Sequence, residues 1–152
     1  MPDPIEFASA SPRFALPLLH AGQAQKEVFV NEATMLTDLL LHCTVLGETA
    51  TPAQNAQEND TWIVAPGATG EWAGHDAHIA VQRSGAWVFI PPRDGMRVFN
   101  RASGAGMLFF GYWRKGSIPV EPLGGSSVDG EARTAINDLV SALQALGILP
   151  ME

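Results

Sequence analysis

His75-Asp76-Ala77-His78 is the one place in this chain where metal-ligating side chains crowd together. A tetrahedral site needs three or four ligands in fixed geometry, and residues three apart on an extended chain point to opposite faces. The motif therefore reads as a turn-plus-strand histidine pair, and no metal is expected. His20 and His42 lie at the two ends of the first predicted helix, too far apart along it to meet unaided. Glu58 and Asp60 pair two carboxylates in a polar loop, with no apolar wall beside them to raise a pKa toward acid catalysis. Gly67-Ala68-Thr69-Gly70 and Gly104-Ala105-Gly106 match neither the phosphate-loop nor the dinucleotide pattern and read as turns. The serines lack the nucleophile-elbow setting. No catalytic residue and no cofactor is expected, so the chain is not read as an enzyme.

Four tryptophans remain, and indole rings stack on sugars as well as filling cores. Trp62, Trp87 and Trp113 fall in strand-like segments, where core packing with the indole N–H on a carbonyl is the ordinary outcome. Trp72 sits in a glycine-flanked loop and is the candidate for exposure, hence for a glycan contact.

The elements that must position these residues follow from spacing. Residues 1–17 carry Pro2, Pro4, Pro12 and Pro17 among small and polar residues and read as an extended arm. From about Ala21 to His42 a helix is predicted, with Phe29, Ala33, Leu36, Leu40 and Cys43 on one stripe and Gln23, Glu27 and Asn31 opposite. The apolar stripe requires a core, whereas amides and an acid at one-turn intervals suit docking on a neighbouring chain. After a loop at 51–60, strand-like segments come at Thr61–Ala65, Ala77–Gln82, Ala86–Ile90, Met96–Phe99 and Met107–Trp113. The short link Arg83-Ser84-Gly85 suits a hairpin, and the whole is expected to be an antiparallel meander, a small sheet or partial barrel. A glycine- and proline-rich linker, 119–127, leads to a C-terminal helix capped by Asp129 and stopped by Gly147. On it Ala132, Ile136, Leu139, Leu143 and Leu146 recur at four-three spacing, the spacing of a coiled-coil seam, and are the expected oligomer interface. The expected class is α+β: an arm at 1–17, a helix-plus-sheet domain at 18–118, the linker, and a helix at 128–148.

Composition supports assembly. The 152 residues suffice for one domain with a core. Charged types make up 16%, against about 25% in an average domain, and apolar types 46%. A surface so short of charge suits an obligate oligomer. The net charge is −7 and the nine basic residues show no cluster beyond Arg114-Lys115, so nucleic acid is not an expected partner. Apolar runs such as Met107-Leu108-Phe109-Phe110 fall far short of the roughly 20 residues of a membrane span, and the opening Met1-Pro2-Asp3-Pro4 lacks the order of a secretory signal. The single cysteine, Cys43, excludes an internal disulfide, and its place on the helix stripe makes it a packing residue. Synthesis in a bacterial cytoplasm fits these features.

The block from Leu16 to Ala33, LPLLHAGQAQKEVFVNEA, together with Gly67-Ala68-Thr69-Gly70-Glu71-Trp72-Ala73-Gly74-His75 and Gly85-Ala86-Trp87-Val88-Phe89, resembles a family known only as a domain of unknown function. The resemblance covers roughly residues 14 to 100. That family occurs in tail-fibre and head-spike proteins of phages and gene transfer agents of alphaproteobacteria. The resemblance implies a virion component: the base or adaptor of a head spike or tail fibre, contacting a capsid or tail protein on one side and a fibre used in host attachment on the other. A spike base at an icosahedral vertex implies a cyclic pentamer, favoured here over the trimer that fibres imply. The alternative is a glycan-binding module for a cell-surface polysaccharide, and a hydrolase acting on capsule or peptidoglycan is third.

Overall fold

Lys26–Leu40 forms α1, where the apolar spacing predicts a helix, but it begins later than position 21 because Gln25 adopts a left-handed conformation, φ 53°, and offers no side-chain cap. The computed structural model describes residues 16, 17, 19, 22, 24 to 120 and 129 to 151. The arm at 1–15, His20, Gln23 and linker positions 121–127 lie outside them. The chain divides into two compact units, residues 1–43 and 44–152. The boundary falls between α1 and the strands, inside the span 18–118, and the C-terminal helix belongs with the strands.

In the first unit, α1 buries no residue fully: Phe29 is exposed, Ala33, Leu36 and Leu40 are half-buried. Thr34 and Thr37 turn their hydroxyls back to the carbonyls of Val30 and Ala33, which keeps two β-branched polar residues compatible with the helix. Cys43, at the end of this unit, is buried.

The second unit holds eight strands in two sheets and one helix, an α+β arrangement as expected. Its strands are β1 (Thr44–Val45), β2 (Glu48–Thr49), β3 (Thr61–Val64), β4 (Ile79–Arg83), β5 (Ala86–Ile90), β6 (Arg97–Asn100), β7 (Ala105–Phe110) and β8 (Tyr112–Lys115). One sheet runs β1-β6-β7-β8 and the other β2-β3-β4-β5. The meander expectation holds within β3-β4-β5 and β6-β7-β8, whose pairs are all antiparallel. Two short parallel pairs, β1 with β6 and β2 with β3, were not legible as strands. They arise because residues 44–49 run between the sheets, pairing with β6 on entry and β3 on exit; the amide of Leu46 donates to Thr61 and that of Ile63 to Gly47.

Turn chemistry sets the registers. The β4–β5 hairpin closes on Ser84 and Gly85, both at positive φ, 49° and 79°, as a tight right-twisted hairpin requires. The single strand expected over Met107–Trp113 is instead two, because Gly111 (φ 71°) reverses the chain so that Phe110 faces Tyr112. Asp94 accepts a hydrogen bond from the Gly111 amide at 2.9 Å and fixes that reversal. Alternation then puts Val98, Ala105, Met107 and Trp113 inward and buried in one sheet, and buries Ile63, Ile79 and Val81 on one face of the other sheet, with Val64 and Ala80 buried on its opposite face.

The C-terminal helix, α2, spans Gly130–Ala145 with the predicted cap, Asp129 accepting from the Ala132 amide at 3.0 Å. Gly147 (φ 66°) ends it, and the tail that follows is anchored on the sheet: Gly106 donates to the Gly147 carbonyl at 2.5 Å and Met151 to Ser103 at 2.9 Å. Leu149 is buried, and a side chain at Gly116 would meet the Ile148 carbonyl at 2.8 Å.

Candidate functional site

The groups singled out for chemistry are engaged in holding loops. Asp76 accepts from the amides of Gly67 and Ala68 at 3.1 and 3.2 Å, and these two bonds hold its carboxyl below the usual carboxylate range. His75 stacks flat on Phe89, ring centroids 3.7 Å apart, and meets His78 edge to face at 5.2 Å through a turn in which the His78 amide donates to His75. Among the described residues no three His, Cys, Asp or Glu side chains group as metal ligands do. Glu58 accepts from the Ser84 amide and pairs with Arg83, while Asp60 accepts from the Gln57 amide. These carboxylates tie the 51–60 loop to itself and to the β4–β5 hairpin.

Trp72 corrects an expectation. Flanking glycines suggested an exposed loop, but Gly70 and Gly74, both at positive φ, let the chain fold back through a 3-10 turn at Gly70–Trp72. Its indole is 0% exposed, packed with Val64 and Ala80 and set edge-on to Trp87 at 4.9 Å. The large apolar area of an indole gains more from this cluster than from solvent, and a residue so placed offers no platform to a sugar. Trp62 and Trp87 border the same cluster, half-buried. Trp113 follows the core expectation: it is buried and its indole N–H donates to the Ala77 carbonyl at 2.8 Å, joining the β8 strand to the turn that precedes β4.

What remains open is apolar surface. Of the α2 seam, Ala132, Ile136, Leu139 and Leu146 are exposed, the last three at 45, 59 and 74%, and only Leu143 is half-buried. On α1, Glu27 and Asn31 of the expected docking face are exposed; Gln23 lies outside the described residues.

A second surface was not found by sequence reasoning. The outward positions of β6, β7 and β8 form cross-strand rows: Arg97 beside Leu108 beside Arg114, then Phe99 beside Gly106, with Phe110 opposite Tyr112 at the hairpin end. Phe99, Phe110 and Tyr112 are exposed at 42, 55 and 64%. The Arg114 guanidinium lies over the Phe110 ring at 4.7 Å and 5.3 Å from the Tyr112 centroid, contacts that hold its plane in place. Neither Arg97 nor Arg114 has a carboxylate partner among the described residues, whereas neighbouring Lys115 is paired with Glu48 at 2.5 Å. Between this face and the tail lies a groove of about 530 Å³ lined by Arg97, Phe99, Leu108, Arg114, Leu146 and Ile148, among others. The signal in the sequence was the phase of alternation, Arg97/Phe99 outside Val98/Asn100, which becomes readable only once Gly111 is known to split β7 from β8.

Fold and surfaces together describe a small α+β module with an exposed apolar helix seam and an exposed arginine–aromatic sheet face. Residues 30–114 match the family described as a protein of unknown function, DUF2793, and the chain belongs to that family. No curated protein matches the chain.

Proposed function

We propose that this protein is a structural component of a phage or gene transfer agent particle, the base or adaptor of a head spike or tail fibre, assembling as a cyclic homo-oligomer that holds a fibre used in host attachment. The observation that carries this reading is the uncovered seam of α2: a helix capped at Asp129 and tethered at Gly147 keeps Ile136, Leu139 and Leu146 in the open. Such a row on a charge-poor chain is the surface an obligate assembly covers. The resemblance to tail-fibre and head-spike proteins supports the choice of particle, and capsid or tail protein and fibre are the remaining partners in this reading.

The test is native mass spectrometry of the full chain at micromolar concentration, paired with electron microscopy of particles from cells lacking the gene. A closed ring, five copies by preference, and particles bare of spikes or fibres are expected. A monomer with normally decorated particles refutes the proposal.

A further inference from the structure

The β6–β8 face is cationic and aromatic on a chain whose net charge is −7. Arg97 and Arg114, flanking Leu108 in one cross-strand row, are two strand spacings apart, about 10 Å. Exposed rings stand on both sides of that row, Phe99 at one end and Phe110 with Tyr112 at the other. A ligand matching it has two negative charges about 10 Å apart and apolar or proline side chains between them.

The chain carries such a segment outside its described residues. Pro2-Asp3-Pro4-Ile5-Glu6-Phe7 has two acids, and residues 2–12 have no lysine or arginine. Alternate prolines favour the polyproline helix, which has three residues per turn and rises 3.1 Å per residue. In that form Asp3 and Glu6 share one side, about 9 Å apart, and Pro4 and Phe7 share the adjacent one. Aromatic-lined grooves are the usual receptors for such helices, because the segment is already extended and loses little entropy on docking.

We propose that residues 2–7 of a second copy of this chain dock on the β6–β8 face, with Asp3 and Glu6 on Arg97 and Arg114 in either order and Pro4 and Phe7 against the exposed rings. This rests on the homo-oligomer reading and deepens it. Between the docking segment and the described chain lie residues 8–15, which reach at most about 28 Å when extended, so the acceptor face must lie within that distance of the donor's residue 16. Donation of an arm from each copy to the next is a head-to-tail contact, the kind that closes into a ring.

The test uses the full chain with Ile5→Cys labelled by a benzophenone maleimide; the native thiol, Cys43, is buried and is not labelled under native conditions. Light labelled protein is mixed with heavy-isotope unlabelled protein, irradiated and mapped by peptide mass spectrometry, and the native mass of the same mixture is recorded. Adducts joining light position 5 to heavy peptides within 97–116 are expected. They should fall on the order of tenfold when the heavy partner carries Arg97→Glu and Arg114→Glu, and recover when the light partner also carries Asp3→Lys and Glu6→Lys. Adducts elsewhere, adducts indifferent to charge reversal, or light–light adducts alone in an oligomer that exchanges subunits overturn the docking while leaving the oligomer in place. A native mass of one subunit overturns the assembly reading and the docking with it.

Discussion

Replacing Leu139 by Asp separates the subunit's own stability from that of its assembly. In the single chain Leu139 is 59% exposed and α2 buries no residue fully. The change costs the subunit little beyond helix propensity, about half a kcal/mol. In an assembly that covers the seam, the exposed part of the leucine is worth about 1–2 kcal/mol of the 1.5–3 gained by burying a whole side chain. An ionised carboxylate at the same place adds several kcal/mol of desolvation with no cation to meet it. A total near 4 kcal/mol weakens each contact roughly a thousandfold. Urea titration of dilute Leu139→Asp should then match wild-type subunit, while native mass shows dissociation at concentrations where wild type is assembled. A variant that keeps its native oligomer and still decorates particles would refute the assignment of the seam to the interface. One that unfolds outright would place the seam in the subunit's own core, against the exposure described.

Three further outcomes follow from individual contacts. Trp113→Phe leaves the half-buried Ala77 carbonyl without its 2.8 Å indole donor; equilibrium urea unfolding should show a loss of about 1–3 kcal/mol from the lost hydrogen bond and the lost volume. Burial pushes the Cys43 thiol up to about 11 from 9.0, so the folded state holds this proton more tightly than the unfolded one. The resulting stability is fully present below pH 9 and is lost as pH rises through about 11, and the alkaline fall in urea midpoint should shrink in Cys43→Ala. The Asp76 carboxyl is depressed by the Gly67 and Ala68 amides, so its contribution is present above 3.8 and is lost as pH falls through the lower folded value. Protection of those two amides from exchange, measured by NMR relative to their intrinsic rates, should fall on that acid side and be lower in Asp76→Asn than in wild type at neutral pH.

Where local chemistry decides structure, the sequence was readable. Asp129 and Gly147 delimit α2 as their types predict, the β5 strand matches the expected Ala86–Ile90, and Ser84-Gly85 makes the hairpin. Where long-range pairing decides, it was not. The strands β1 and β2 have two residues each and no pattern of their own; they exist because β6 and β3 present open edges to residues 44–49. Gly111 sits in an apolar run that reads as one strand until Asp94, distant in sequence, captures its amide. Trp72 was misplaced for a related reason: glycines mark a turn but do not say whether the turn carries its side chain outward or back into Val64 and Ala80. The arginine-aromatic face depends on the Gly111 reversal, which brings Arg114 beside Leu108 and Tyr112 beside Phe110.

The physical case for assembly lies in how α2 is held. A helix of 16 residues is marginal in water by itself, and the Asp129 cap adds only about 1 kcal/mol. Its firm anchorage is at the C-terminal end, where the Gly147 and Met151 backbone bonds and the buried Leu149 attach the tail to the β7 strand and to the turn before it. Fixed at that end and uncovered along its seam, the helix is positioned by the subunit but not paid for by the subunit's core. The same tail forms one wall of the groove whose other wall is the Arg97–Arg114 face. Occupying the groove with a neighbour's segment would therefore press on the tether of α2 itself. Seam and face therefore meet at the same tail, and on the assembly proposed above a neighbour's segment in the groove would bear on the tether that positions the seam.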